Sequence, residues 1–481
     1  MSPSIVSAVY LLAGILFILG IKGLTKPKTA VRGNQLSALG MLIAVVVTLL
    51  DSSIVDFSFI IAGVLIGGIV GATMALKIQM TSMPQMVALL NGFGGGASLT
   101  IALAEYFSKV GADPSSFAQL VTPIAVESSA FGAGPEGTVA LISIGLTVLI
   151  GAVTLTGSFV AFAKLQELMK KSYGLPGGPI GNALFLAAAL VAVVLLVTNP
   201  GNSLAMLSIV ALALLLGLFL VMPIGGADMP VVIALLNSYS GIAAALAGFI
   251  LGNTVLIVAG SLVGTSGLIL TQIMCVAMNR SLANVLFGKM AAGGETVDAD
   301  EIYAGKVTSA QPDEIAMMLE VAKRVVIVPG YGMAMAQAQH AVRELADAME
   351  SRGTEVEYGI HPVAGRMPGH MNVLLAEAEV PYDKLVEMDR INPTFEDTDV
   401  VIIIGANDVT NPMARESEGS PIYGMPILNV DKAKNVVVIK RSLSPGFAGL
   451  PNPLFAMDHC LMVYGDGKKA VIDMTTALNQ S

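Results

Sequence analysis

The residues best suited to chemistry lie late in the chain, where a glycine-rich turn follows an apolar, β-branched run. The run 325–329 leads directly into the turn, which consists of Gly330, Tyr331, Gly332, Met333, Ala334, Met335 and Ala336. A helical pattern then continues to about Met349. Glycines in this setting allow a tight turn, and N–H groups at the start of the helix can bind a pyrophosphate. Met335 replaces the third glycine of GxGxxG, but strand, turn and helix together predict a dinucleotide site. A tight turn without a ligand is the alternative.

Two other turns carry polar residues that suit the same ligand. Lys440 and Arg441 end an apolar run and precede a turn rich in serine, proline and glycine. Fixed cations, arginine above all, bind a 2′-phosphate, so this pair favours NADP over NAD unless it is an ordinary solvated pair. The run 400–404 is followed by Gly405, Ala406, Asn407 and Asp408. Asp408 could contact a ribose or an amide, or it could cap the turn.

A parallel sheet would bring these turns together. Apolar runs that alternate with helical or loop segments occupy residues 324–328, 355–360, 384–388, 400–404, 436–440 and 461–464. This alternation predicts strands that are covered on both faces by helices. We therefore expect a doubly wound, Rossmann-like α/β domain over residues 312–481, preceded by a Gly-, Asp- and Glu-rich linker at 290–311.

Composition separates this domain from the rest of the chain. Of the 481 residues 54% are hydrophobic, and only 19 of the first 290 are charged, against 42 of the last 191. The acidic balance, without a basic run or any Trp, argues against nucleic-acid binding. Cys275 and Cys460 are too far apart in sequence to form a CxxC motif, so we expect neither a metal site nor a disulfide.

Residues 1–289 have the hydropathy of a polytopic α-helical membrane domain. A bilayer core about 30 Å thick needs roughly 20 apolar residues per helix. Nine such stretches lie near residues 5–22, 36–50, 57–76, 84–106, 138–163, 182–198, 204–222, 229–251 and 254–278. Ten of the eleven basic residues in this part follow odd-numbered stretches. The positive-inside rule then places the N-terminus outside and the C-terminal domain in the cytoplasm.

Two of the predicted membrane helices share a motif. Residues 83–91 and 229–237 both fit MPxxxALLN, and a glycine follows four residues later in each copy. The recurrence indicates parallel repeats, which transporters use to build a site at the repeat interface.

Polar residues in and beside these repeats are candidates for a proton path. An amide at membrane depth needs partners, so Asn91 and Asn237 should face other helices or a water-filled path. Ser238 and Tyr239 add hydroxyls that could hold water. A plain hydrogen bond between helices is the alternative. Asp228, at the cytoplasmic entry of the eighth stretch, could couple the two domains or be only a charge at a helix N-terminus.

Longer motifs resemble those of the beta subunit of proton-translocating NAD(P) transhydrogenases. They are VPGYGMAMAQAQ, HPVAGRMPGHMNVLLAEA, IGANDVTNP and KRSLSPGFAG in the soluble part and GGADMPVVIALLNSYSG in the membrane part. The resemblance spans essentially the whole chain. It implies that this chain binds NADP(H), while one or more alpha subunits carry the NAD(H)-binding domain and further membrane helices. It also implies a dimer of such heteromers in the bacterial inner membrane, with hydride passing directly between the cofactors as a proton moves inward.

The same resemblance implies roles for individual residues. The pyrophosphate loop would comprise Gly330, Tyr331, Gly332, Met333, Ala334 and Ala336. Further nucleotide contacts are implied for Arg366, Asn407, Asp408, Lys440, Arg441, Gly446, Gly465 and Asp466, with the loop 440–446 closing over the bound nucleotide. Asp228 and Asn237 match positions connected with proton transfer. Some relatives carry a histidine where this chain has Asn91. Since no histidine precedes His340, a membrane imidazole would have to come from a partner chain.

A different class of function also fits two such domains. The chain could be a channel or secondary transporter whose Rossmann-like domain only senses a nucleotide. The glycine run 94–96 lacks the TVGYG pattern of a selectivity filter, which counts against a channel.

Overall fold

Long apolar helices make up the first part of the chain. The structure is a computed structural model and describes residues 3–24, 27–50, 57–111, 128–131, 134–166, 168–169, 178–225, 228–287, 302–367, 369–418, 420, 422–446 and 448–480. By its internal contacts the chain forms two compact units. The first comprises Met1–Gln79, Gln85–Pro223 and Val232–Ile269, and the second comprises Met80–Pro84, Ile224–Val231 and Leu270–Ser481. The domain limits 1–289 and 312–481 stay a prediction.

Within the described residues nine helices are long and apolar enough to cross a membrane, which confirms the predicted number. They are α1 Pro3–Leu24, α2 Pro27–Leu49, α3 Ser58–Lys77, α4 Met83–Val110, α5 Pro135–Leu165, α6 Pro179–Thr198, α7 Ser203–Val221, α8 Met229–Leu251 and α9 Thr254–Ala277. Hydropathy placed the start of α2 nine residues too late, because apolar content does not detect a polar first turn. Proline at the first helical position is compatible with the helix geometry there.

Glycines allow several of these helices to approach each other closely. A Cβ on Gly241 would lie 2.8 Å from Gly260 O, and a Cβ on Gly95 would lie 2.8 Å from Gly151 O. These contacts join α8 to α9 and α4 to α5. Small residues at helix interfaces let backbones pack together.

A parallel sheet forms the centre of the soluble domain. Its strands are β1 Thr308–Ser309, β2 Arg324–Pro329, β3 Glu355–Ile360, β4 Leu385–Glu387, β5 Val400–Ile404, β6 Asn435–Lys440 and β7 Cys460–Tyr464, in the spatial order β1-β7-β6-β5-β2-β3-β4. All described pairs are parallel. The α/β architecture predicted from the alternating runs is confirmed.

Helices and short turns cover the sheet. The helices are α10 Leu282–Phe287, α11 Pro312–Val321, α12 Tyr331–Met335, α13 Gln339–Glu350, α14 His370–Glu377, α15 Met388–Ile391, α16 Met413–Glu416 and α17 Gly467–Gln480. Alternate residues of β2 enter different cores, Val325 and Ile327 on one face and Val326 and Val328 on the other. Burial on both faces explains why the strands are continuously apolar rather than alternating.

Two expectations about this domain need correction. The end of the predicted linker is structured: residues 308–309 form β1 and pair with β7, while residues 288–301 lie outside the described residues. A two-residue strand has too little sequence to show a pattern. The helix predicted to run from the glycine turn to Met349 is two helices, α12 and α13, separated at Gln337, whose φ of 51° is incompatible with a continuous helix.

Candidate functional site

The strand order places a crevice at the carboxyl ends of β2 and β5. The chain proceeds from β2 through β3 to β4 on one side, and from β5 through β6 to β7 on the other. Loops after β2 and β5 therefore leave in opposite directions. Ligands of open α/β sheets bind at such a topological switch point. The turns predicted as the site follow β2, β3, β5, β6 and β7, so all lie along this edge of the sheet.

The turns after β2 and β5 pack backbone against backbone. A Cβ on Gly330 would lie 2.5 Å from the Cα of Ala406, and a Cβ on Gly332 would lie 2.6 Å from the Cα of Gly405. Gly330 N donates to Ile404 O at 2.9 Å, and Gly332 N donates to Gly405 O at 3.0 Å. Glycine is required here because the two turns are in contact, a reason that the sequence pattern did not reveal.

The remaining residues of the first turn differ in exposure. Met333 and Ala334 are fully buried and belong to the hydrophobic core. Their side chains are therefore not accessible to a ligand, and their predicted contact with the nucleotide stays a prediction. Tyr331 and Ala336 are half-buried. The Cβ of Ala336 lies 3.3 Å from where Gly467 would carry one, so this turn also borders the start of α17.

Arg366 joins the loop after β3 to the turn after β2. Its guanidinium carbon lies 3.7 Å from the centroid of the Tyr331 ring, in the geometry of a cation–π contact. His370, which begins α14, lies beside the same tyrosine, with ring centroids 6.1 Å apart. Arg366 N donates to His370 Nδ1 at 3.0 Å. The structure thus brings the predicted Tyr331 and Arg366 together and adds His370.

Asp408 holds the loop that follows β6. Its Oδ2 accepts a hydrogen bond from Ala448 N at 3.0 Å. Gly446 lies against the same carboxylate, since a Cβ there would lie 2.8 Å from Asp408 Cγ. The side-chain oxygen of Asn407, in the amide orientation that suits its neighbours, accepts from Gly446 N at 2.6 Å and from Lys440 Nζ at 3.2 Å. The two turns predicted separately therefore form one structure.

Lys440 and Arg441 have different surroundings. The Lys440 ammonium donates to Ser444 O within its own loop and lies 5.2 Å from the centroid of the Phe455 ring. Burial lowers the pKa of Lys440, and the Asp408 carboxylate opposes that shift. Arg441 is exposed. The lysine therefore braces the loop, whereas the arginine is accessible to a ligand.

Gly465 and Asp466 lie at the carboxyl end of β7. Gly465 N donates to Lys440 O at 3.2 Å, which ties this turn to the loop after β6. Asp466 Oδ1 accepts from Lys469 N at 3.0 Å in the first turn of α17. An Asp in this position caps a helix, and its predicted contact with the nucleotide stays a prediction.

The two repeat asparagines of the membrane part have different environments. Asn91 is buried, and its Nδ2 donates to Ile233 O at 3.3 Å, so α4 is hydrogen-bonded to α8. This is the helix–helix contact that was the alternative to a proton path. Asn237 is half-buried, and its side-chain amide makes no hydrogen bond within the part of the chain that the structure describes. Ser238 is buried and donates to Gly264 O on α9 at 2.7 Å. Tyr239 packs beside a hydrophobic cluster of the membrane helices.

Asp228 is paired with an arginine that the sequence did not single out as a partner. Asp228 is 3% exposed, and Arg280 Nη1 donates to both carboxylate oxygens, at 2.9 Å and 2.8 Å. Arg280 also donates to Asn284 O at 3.2 Å. Burial raises the pKa of Asp228, and the arginine opposes the shift. Arg280 follows α9 and was counted only as an orienting charge, because a partner 52 residues away leaves no local signal.

Comparison with known proteins identifies the family. A family model described as "NAD(P) transhydrogenase beta subunit" matches residues 6–477. The chain belongs to the NAD(P) transhydrogenase beta subunit family. Two relatives, both named "NAD(P) transhydrogenase subunit beta", come from Rhodospirillum rubrum and from a strain of that species. Each is 46% identical over 481 residues, which is 100% of this chain and of the relative. The resemblance seen in the motifs is confirmed.

The edge of the sheet in this member of the transhydrogenase family fits a phosphorylated dinucleotide. Two arginines, Arg366 and Arg441, lie on loops at this edge, and guanidinium groups bind phosphates with paired hydrogen bonds. The turns of Gly330 and Gly405 form the floor at the switch point. Within the described residues no group of three or more His, Cys, Asp or Glu could hold a metal ion.

Two further residues at this edge were not predicted as site residues. Asn452 is fully buried, and its Nδ2 donates to the backbone oxygen of Asn407 at 3.2 Å. His361 is buried after β3, with Nε2 2.8 Å from Pro426 O, and burial lowers its pKa to about 4. The histidine was detectable because it directly follows a strand. A single asparagine between prolines carries no comparable signal.

Proposed function

We propose that this subunit binds NADP(H) at the carboxyl edge of its sheet and takes part in hydride transfer from NADH to NADP+. The observation that carries the proposal is the junction of Asp408 with Gly446 and Ala448. It closes the loop after β6 over the switch point, where a dinucleotide binds in folds of this kind.

Different side chains at this edge are suited to different parts of the nucleotide. Arg366, whose guanidinium contacts the Tyr331 ring, is suited to a pyrophosphate. Arg441 is exposed on the closing loop and is suited to a 2′-phosphate, which distinguishes NADP from NAD. Lys440, Asn407 and Asp408 hold the loop shape. Binding and orientation are the tasks of these residues, because hydride transfer between nicotinamide rings needs alignment rather than an acid or base.

A partner must supply the other cofactor. The relatives are named beta subunits, and the described residues form one Rossmann-like domain, which supports an alpha subunit or subunits that bind NAD(H). Further membrane helices and a dimer of such heteromers belong to the same proposal. The family resemblance supports a location in the bacterial inner membrane. The distribution of basic residues supports an orientation with the N-terminus outside and the sheet domain in the cytoplasm.

Proton movement would be coupled to the affinity for NADP(H). Coupling requires two states of the protein that differ in both properties. The buried Asp228–Arg280 pair is our candidate for the element that changes, and Asn237, with Ser238 and Tyr239 beside it, is our candidate for the water-accessible part of the path. Asn91 would contribute to this path only indirectly, because its side chain is hydrogen-bonded to the backbone of α8.

Nucleotide selectivity tests the binding proposal directly. We expect Arg441→Gln to weaken NADPH binding to the full-length chain by about 1.5–3 kcal/mol, the scale of a charge-assisted hydrogen bond, and to leave NADH binding nearly unchanged. NADPH fluorescence titration measures this. Lys434→Gln is the matched control, since Lys434 lies at the opposite end of β6. Equal losses for NADPH and NADH would remove the 2′-phosphate assignment.

Reconstitution tests the coupling proposal. The chain and its alpha partner, reconstituted in vesicles, should transfer hydride from NADH to NADP+, which yields NAD+ and NADPH, and should move protons inward. Asn237→Leu should stop proton movement while NADPH still binds. Nucleotide binding without hydride transfer, in the complete wild-type complex, would instead favour a nucleotide-sensing transporter. Normal proton movement in Asn237→Leu would reduce Asn237 to a packing residue.

A further inference from the structure

A buried histidine lies directly behind the arginine assigned to the pyrophosphate. His370 is the first residue of α14 and is fully buried. Its Nδ1 accepts the backbone N–H of Arg366 at 3.0 Å. The Arg366 side chain, in turn, is stacked on the Tyr331 ring. The backbone of Arg366 is therefore held by an imidazole, and its side chain is held by a phenol ring.

The loop is shaped to fit this imidazole. Gly365 has a φ of 114°, and a Cβ on it would lie 2.6 Å from both the Cβ and the Nδ1 of His370. Only glycine combines this backbone conformation with this close approach. Residues 365 and 366 consequently lie directly against the histidine ring.

The protonation of His370 follows from its partners. A ring nitrogen that accepts an N–H carries no proton, so in the neutral ring the proton is on Nε2. Burial and the nearby Arg366 charge lower the pKa of His370 to about 4, so the ring is neutral near pH 7. Nε2 is buried and has no hydrogen-bond partner among the described residues. An unpartnered buried donor destabilises a fold, and an aliphatic residue would avoid that cost. The hydrogen bond that Nδ1 accepts from the Arg366 backbone is therefore what explains a histidine at this position.

We infer that His370 is a positioning residue for the nucleotide site, which acts by fixing the backbone of Arg366 so that its guanidinium faces the pyrophosphate. The inference rests on the proposed function and adds a residue to it. His370 itself contacts no ligand, because its ring is enclosed behind the loop. The lost bond should therefore appear as weaker NADP(H) binding only while Arg366 is present.

The experiment compares variants that keep or remove the acceptor. His370→Asn keeps an oxygen close to the position of Nδ1, whereas His370→Leu and His370→Phe fill the space without one. We expect the apolar variants to bind NADPH about 5- to 10-fold more weakly, the effect of one lost hydrogen bond, and His370→Asn to remain within about twofold of wild type. Titrations use the full-length chain in detergent. If only one of the two apolar variants folds, that variant alone is compared with His370→Asn and wild type.

A double-mutant cycle separates positioning from general stability. In an Arg366→Ala background, His370→Leu should change NADPH affinity by less than about twofold, because the group through which it acts is gone. Additive losses, or a His370→Asn variant as weak as His370→Leu, would overturn the positioning role. Unchanged affinity in both apolar variants would also overturn it. A wild-type chain that does not bind NADPH would overturn the proposed function, and with it this inference.

Discussion

Gly446 offers the most direct test of the closed loop. A Cβ at this position would lie 2.8 Å from both Cγ and Oδ2 of Asp408, and closer still to Oδ1. Real Cβ atoms do not come within 3.0 Å of such neighbours. In Gly446→Ala either the carboxylate or the loop must therefore move. We expect the bond from Ala448 N to Asp408 Oδ2, now 3.0 Å long, to lengthen or break.

The expected magnitude follows from this one bond. A hydrogen bond to a charged group contributes about 1.5–3 kcal/mol. If the closed loop is the form that binds NADPH, its loss weakens binding by about 10- to 100-fold. Most of the effect should appear as faster release, because the loop covers the nucleotide after it has bound. NADPH fluorescence titration and stopped-flow displacement with the full-length chain measure both quantities.

Two variants make the interpretation specific. Gly67→Ala makes the same substitution where a Cβ would meet nothing within 4 Å, and it should bind NADPH normally. In an Asp408→Ala background the clash is absent, so Gly446→Ala should cause little further loss. Binding by Gly446→Ala within about twofold of wild type would refute the reasoning, because it would mean that the Asp408 contact does not control the loop.

Three further predictions concern stability. Arg280→Met leaves the buried Asp228 carboxylate unpaired and should destabilise the protein by about 3–5 kcal/mol. Adding Asp228→Asn to Arg280→Met should restore part of the thermal midpoint, and no recovery would contradict this prediction. Gly260→Leu should prevent folding, because a Cβ at Gly260 would lie 2.6 Å from a backbone oxygen of α8. Gly67→Leu should be tolerated, because a Cβ at Gly67 would have nothing within 4 Å. Equal yields of folded protein from the two variants would count against this packing. Burial lowers the pKa of His361 in the folded protein from its usual 6.5 to about 4. Between these two pH values the imidazole is protonated in the unfolded chain but not in the folded protein. The free energy of unfolding therefore decreases by about 3 kcal/mol as the pH falls from 6.5 to 4. The thermal midpoint of His361→Gln should fall less over this range than that of wild type.

Local properties of the sequence predicted the elements and much of the site. The nine long apolar helices of the described residues follow from apolar length, because a helix that crosses a bilayer must match its thickness. The strands follow from β-branched runs, and their carboxyl ends carry the turns of Gly330, Asn407 and Lys440. Where polar residues take part in a helix, as at the start of α2, or where a strand has two residues, as in β1, the same rules failed.

Contacts between distant residues were decided by tertiary structure alone. The sequence by itself determined which residues occupy helices, strands and turns, since hydropathy, branching and glycine act over a few neighbouring positions. It did not determine that Asp408 would hold Gly446, that Arg280 would neutralise Asp228, or that Lys440 would brace a loop while Arg441 stays exposed. Those outcomes depend on the order of the strands and the packing of the helices. Pairing energies arise only when the folded chain brings together groups that lie tens of residues apart.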